Sequence, residues 1–362
     1  MKKRKRKKLL KKIVLLLIVA TLIYIGYKKV FNTSKQETSK IDMILKEKNI
    51  DKSNYSATLE YVLLNNIYNE TYLNEYKDIT FNNQSNFTEI ITTFLPLGYS
   101  GKEINYLFLL SSKNIEYLKN NKYMDIKDYY KLKNFDASKL ERYNTFKKNN
   151  NYDLKDIVTY VNINLDKPAY TETVISSNPD SLTVLVNKYN GITETYKPKD
   201  LVYVDGAYGN KVPMRSVIKE SFVELQQAAK KEININLLPT TAFRDGAFQK
   251  TLYNNYVAKD GVAKADKYSA RPGYSEHQTG LAIDLKNTAL NNTRLTDDNY
   301  KWLEDNSYKY GFIIRFPKDK EFITGYQFEN WHIRYVGEKI AKIIHDNDLT
   351  LEEYIDLYET EY

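Results

Sequence analysis

The chain contains no cysteine, and only three of its 362 residues are histidine. The missing cysteines exclude disulfides, thiolate metal sites and cysteine nucleophiles together. They do not exclude an extracytoplasmic home, because a chain this long can bury a sizeable core without covalent staples. A call for acidic partners is equally thin. The formal charge is +8, yet nine basic residues crowd into the first twelve positions, MKKRKRKKLLKK, and the remainder is close to neutral. No nucleic-acid partner is expected from such a balance. Against this background two of the three histidines stand out, since both lie beside carboxylates, in SEHQTGLAID from Ser275 to Asp284 and in ENWH from Glu329 to His332.

Behind the basic block, Ile13 to Tyr27 read IVLLLIVATLIYIGY, an unbroken apolar or weakly polar run. Roughly 20 residues span a bilayer core unaided, and the flanking Lys11, Lys12, Lys28 and Lys29 can snorkel to close the gap. A cleaved signal peptide competes with this reading, but no small-residue cleavage pattern follows the run. The expectation is an uncleaved single-pass membrane anchor within residues 1–31. The positive-inside rule places its N-terminus in the cytoplasm and the rest of the chain outside the cell.

Residues 32–40, polar and aperiodic, suit a linker. Over residues 41–165 apolar positions recur at helical spacing, as in Leu59, Val62, Leu63 and Ile67, or Ile104, Leu107, Phe108 and Ile115. That period predicts a small, mainly helical domain of unassigned role and partner. A weak echo, YMDIKD at Tyr123 and YDLKD at Tyr152, is too sparse for a solenoid. The texture changes near Pro168. Leu182–Val186 and Ile233–Leu238 read as strands, Met214–Lys231 as an amphipathic helix with Ile218, Phe222, Leu225 and Ala229 inward, and Val336–Tyr358 as helical. Strands and helices mixed without a βαβ repeat predict α+β for residues 170–362.

Within that domain the alternation of LAIDL sends Leu281, Ile283 and Leu285 to one face of a strand and Ala282 and Asp284 to the other. WHIRYV likewise pairs His332 with Arg334 on one face, with Trp331, Ile333 and Tyr335 opposite. Gly280 permits a tight turn that folds His277 back toward Asp284. Two imidazoles and one carboxylate make a three-ligand set for one zinc ion with a position left for water. A carboxylate beside that water must collect its proton and return it to the leaving amine. Glu329 is the candidate and Glu276 its rival. Arg244, in a polar turn, offers a rigid fork of donors for a carboxylate or a developing oxyanion. Ser269, Arg271 and Ser275 either bind the substrate carboxylate or brace their loop, and Trp331 is expected to pack in the core. His345 reads as an ordinary surface residue.

The pattern S-x-H-x-x-G-x-A-x-D (Ser275, His277, Gly280, Ala282, Asp284) followed by E-x-W-H (Glu329, Trp331, His332) resembles the D-alanyl-D-alanine carboxypeptidases of the vancomycin-resistance type. These belong to the wider lysostaphin-like, D-Ala-D-Ala and hedgehog-type zinc peptidases. The likeness runs from about Asn178 to Tyr354. It implies an antiparallel sheet core flanked by helices, zinc ligands His277, Asp284 and His332, the base Glu329, and substrate contacts from Arg244 and Gln249. Phe243 and Asp245 depart from the tyrosine and serine usual in the arginine turn. The implied activity is removal of the terminal D-alanine from peptidoglycan stem peptides. An L,D-carboxypeptidase, a D,D-dipeptidase or a cross-bridge endopeptidase would use the same metal set. A non-catalytic zinc-binding wall module, or a scaffold whose helical middle recruits a partner, would be a different class of protein.

Overall fold

A computed structural model describes residues 40–288 and 295–359. The expected anchor and nearly all of the expected linker lie outside them. Among the described residues no helix is long and apolar enough to cross a membrane. The chain divides into two compact units, 1–131 and 132–362.

The described part of the first unit holds helices and no strand, with Ala57–Leu64, Leu73–Asp78, Phe87–Phe94, Gly101–Leu107 and Ser112–Lys119 as its main elements. The helical period has the expected cause: Leu59, Val62, Ile90, Phe94, Ile104 and Leu107 are all fully buried. Side-chain caps fix where the helices begin. Ser56 and Ser111 accept from the backbone three residues on, and Ser100 with Glu103 forms a reciprocal capping box. The Asp-x-Lys-Asp echo is not a structural repeat. Asp125 sits in a non-helical stretch, whereas Asp153 immediately precedes the helix Leu154–Asn162.

The boundary between the units falls after Lys131, while the sequence texture changes near Pro168. Helices Leu140–Asn149 and Leu154–Asn162 therefore belong to the second unit. Asn134 Nδ2 donates to Asp356 Oδ2 at 2.6 Å, and the Tyr160 ring meets Phe322 edge-on at 5.4 Å.

Eight short strands follow: β1 (Val174–Ile175), β2 (Asn190–Gly191), β3 (Leu201–Asp205), β4 (Lys211–Arg215), β5 (Leu237–Thr241), β6 (Ala282–Asn287), β7 (Phe312–Ile314) and β8 (His332–Tyr335). Four of them build the central antiparallel sheet, in the order β5-β6-β8-β7. Its apolar face carries Leu281, Ile283, Leu285, Ile333 and Tyr335 into one core with Ile218, Phe222, Leu225 and Ala229 of the long helix Ser216–Ile233. The unit is thus α+β, with the inward positions read from the sequence. Leu182–Val186 forms no strand. Val184 and Val186 are buried there, but the carbonyls of Leu182 and Val184 accept from the Arg334 guanidinium, each at 2.9 Å, in place of a neighbouring strand.

Candidate metal centre

The register of the central sheet builds the site. Asp284 on β6 lies directly opposite His332 on β8, and Ala282 opposite Arg334, so one face collects what the core face rejects. Cross-strand neighbours on one face stand close enough to touch. Here His332 Nδ1 is 3.1 Å from Asp284 Oδ1. His277 comes from a 3-10 turn, Glu276–Thr279, that Gly280 ends at φ +68°. A side chain at Gly280 would be strained and would meet Arg215 Cγ at 2.9 Å, so glycine is needed to send the chain into β6.

His277 Nδ1 lies 2.7 Å from the Ala242 carbonyl, which can only accept. That nitrogen therefore carries the proton, and Nε2, 3.2 Å from Asp284 Oδ2, is left as a lone-pair donor. The donor atoms of His277, Asp284 and His332 lie within 4.8 Å of one another. Burial, with Arg244 nearby, lowers the His277 pKa to about 4, so the ring is neutral as a ligand must be. Burial also acts against a charged His332, but Asp284 and Glu276 outweigh it and carry its pKa up to about 9. Asp284 Oδ1 is buried without a hydrogen bond. The carboxylates demand a cation at this point, and the donor set fits a zinc ion.

Glu329 is mostly buried, with Oε2 3.6 Å from His332 Nδ1 and its backbone N–H donated to the Phe316 carbonyl at 3.1 Å. Burial raises its pKa to about 7, against the pull of His332. A carboxyl poised near neutrality both takes and gives protons. Arg244 donates its backbone N–H to the His277 carbonyl, and its half-buried side chain leaves Nε buried and unbonded. The Asp245 departure has a local reason: it caps the helix Gly246–Asp260, accepting from Phe248 N at 2.7 Å, a task serine or aspartate performs alike.

Sequence comparison bears directly on this geometry. A family model described as VanY, D-alanyl-D-alanine carboxypeptidase, matches residues 211–338. The chain is 45% identical over 188 residues to the putative carboxypeptidase YodJ of Bacillus subtilis (strain 168), covering 49% of this chain and 68% of that protein. It is 34% identical over 170 residues to a D-alanyl-D-alanine carboxypeptidase of Enterococcus faecium, covering 47% and 53% respectively. The solved structure of the LdcB LD-carboxypeptidase shares 41% identity and covers 52% of this chain and 91% of that one, with a TM-score of 0.48.

The chain belongs to the VanY family of carboxypeptidases.

The pocket beside the candidate ligands has a volume of about 350 Å³, and its walls include Arg244, Gln249, Ser269, Ser275, Glu329 and Trp331. Gln249 donates Nε2 to the Ala270 carbonyl at 2.8 Å and leaves Oε1 buried and unbonded. Ser269 and Ser275 are both buried in the wall. Arg271 is not part of that lining. It pairs with Asp266 at 2.9 Å and stacks on the Tyr170 ring at 4.1 Å, which makes it a brace for the loop. Trp331 is 43% exposed at the cavity and is not core packing. Trp331 lies just before β8, whose four residues are all buried, and so stands at the rim.

Glu276, the rival base, has one carboxylate oxygen committed to two arginines and the other turned toward His332 Nε2 at 3.5 Å. It lies with Arg315, Arg334 and Glu352 in a buried ion cluster, each side chain 2% exposed or less. Burial alone would raise the Glu276 pKa, but Arg315 and Arg334 hold it well below the usual carboxylate range. Sequence reading missed this cluster. The one signal available was the alternation that put Arg334 on the ligand face, where a bare cation needs a partner.

Proposed function

We propose that this protein is a zinc-dependent carboxypeptidase that removes the terminal D-alanine from D-Ala-D-Ala stem peptides of peptidoglycan, held at the outer face of the cell membrane by residues 13–27. The observation that carries the reading is the cross-strand pair Asp284–His332, joined by His277 within 4.8 Å and flanked by Glu329. His277, Asp284 and His332 would hold the zinc. Bound zinc supplies Lewis acidity and brings the pKa of its water to about 7.

The remaining steps belong to the chain. Glu329 accepts the proton from the attacking water and delivers it to the departing amine, a double duty that its near-neutral pKa of about 7 suits. Arg244 is half-buried in the cavity wall with its Nε buried and unbonded, so it calls for an anion. A substrate ending in a free carboxylate supplies one, whereas an internal cross-bridge does not. That contrast favours a carboxypeptidase over an endopeptidase. The Gln249 Oε1 can accept from a substrate N–H, and Ser269 and Ser275 offer hydroxyls beside it.

Incubation of the protein with defined muropeptides, followed by mass analysis, tests the reading. A pentapeptide stem should yield the tetrapeptide and free D-alanine. Release of a dipeptide or of an internal fragment would overturn D,D-carboxypeptidase action, and loss of the fourth residue alone would make it an L,D enzyme.

A further inference from the structure

Behind the metal ligands two buried atoms without hydrogen bonds face each other: His332 Nε2 and Glu276 Oε2, 3.5 Å apart. The other Glu276 oxygen is taken, accepting from Arg315 Nε at 2.6 Å and Arg334 Nη1 at 2.8 Å. Arg315 is held from behind by Glu352, at 3.0 and 2.6 Å, and Glu352 accepts from Asn187 Nδ2 at 3.0 Å. Arg334 is tied to the carbonyls of Leu182 and Val184. The two guanidiniums and two carboxylates cancel in charge. With one oxygen fixed by two cations, Glu276 has only the imidazole left to serve with the other.

An imidazole lends one nitrogen to a metal when the other keeps its proton and finds an acceptor for it. His332 Nδ1 faces Asp284 at 3.1 Å, so the proton belongs on Nε2, toward Glu276. Resting on the zinc reading above, we infer that Glu276 is a positioning residue: it holds His332 as the Nε2–H tautomer and so presents Nδ1 to the metal. It touches no reacting atom. Substitution by glutamine would reverse the message. The guanidiniums need the amide oxygen, which turns the NH2 group toward His332 and sets donor against donor.

The test uses the full chain loaded with zinc. Long-range nitrogen–proton correlation spectra of the histidine rings read the tautomers directly, with His345→Gln removing the third ring. One ring should be metal-bound through Nδ1 with its proton on Nε2, and the other should show the reverse. Two rings bound through Nε2 would overturn the inference and leave the zinc site standing, whereas a chain that binds no zinc would sink the functional reading itself. Chelator competition supplies the second arm. Glu276→Gln should weaken zinc binding by about 10- to 100-fold, the usual cost of losing an outer partner of a metal-bound histidine. Glu352→Gln, equally buried but out of reach of His332, should lower the unfolding midpoint and keep zinc affinity near the parent value. Equal losses of affinity in both variants would make the cluster a folding device only. If Glu276→Gln does not fold, the spectra of the otherwise native chain decide alone.

Discussion

The two units bury different things. Among the described residues of the first unit no Asp, Glu, Lys, Arg or His is buried, and its buried polar side chains are Thr58 and Asn114. The second unit buries Glu276, His277, Arg315, His332, Arg334 and Glu352, and with them Asp136 and Asp356. Taking charges out of water is costly, and unmatched ones are costlier still. The first unit avoids the cost with apolar helices and surface caps. The second unit gathers most of its buried charges at and behind one group of potential ligands, where they orient donors. The contrast locates the chemistry before any likeness to other proteins is considered.

The sharpest way to break the comparison is at Glu329. Glu329→Ala should slow D-alanine release by about 10²- to 10⁴-fold, the usual share of a general acid–base group, while metal analysis still finds one zinc. Normal turnover would show that the base is another residue. Next in size is Arg315→Met, which leaves the buried Glu352 without its cation and Glu276 with Arg334 alone, and should cost about 3–5 kcal/mol in urea unfolding. A cost below 1 kcal/mol would mean that the cluster is wetter than its burial implies.

Zinc affinity should also depend on pH. Before metal binds, the pKa of His332 lies at about 9, so below that pH zinc must displace its proton. Affinity should therefore climb about tenfold per pH unit toward pH 9 and then level off. Chelator titration reads the slope, and a flat profile would contradict a cationic resting ring. Truncation before Leu132 should leave release unchanged. Truncation to residue 170 removes the Asn134–Asp356 and Tyr160–Phe322 contacts and should lower the thermal midpoint. The smallest effect is expected at Ser100→Ala in the first unit. Loss of that cap should cost about 1 kcal/mol and leave D-alanine release at the parent rate.

Local pattern made much of this legible. Alternation assigned the faces of LAIDL and WHIRYV because a strand has a period of two wherever it lies, and the helical period marked Leu59, Val62 and Ile104 as core. The three candidate ligands and Glu329 could be singled out because they sit in two compact motifs, and the structure brings His277, Asp284 and His332 within 4.8 Å of one another. Leu182–Val186 misled because its alternation is real but its carbonyls serve Arg334 instead of a strand. The place of Glu276 was not legible because it lies in a 3-10 turn whose side-chain directions no strand or helix period gives. Trp331 misled because the strand and its buried face begin one residue later, at His332.

By itself the sequence determined which residue types were available for metal and proton chemistry, on which strand faces they would lie, and where helices would start, because these depend on neighbours a few positions apart. Only the tertiary structure decided that Asp284 and His332 would stand in register, that Arg271 would brace and not line the cavity, and that Arg315, 39 residues from Glu276, would close an ion cluster behind a ligand. Those outcomes turn on distances between segments remote in the chain, and on whether a buried charge finds its partner, which no local pattern encodes.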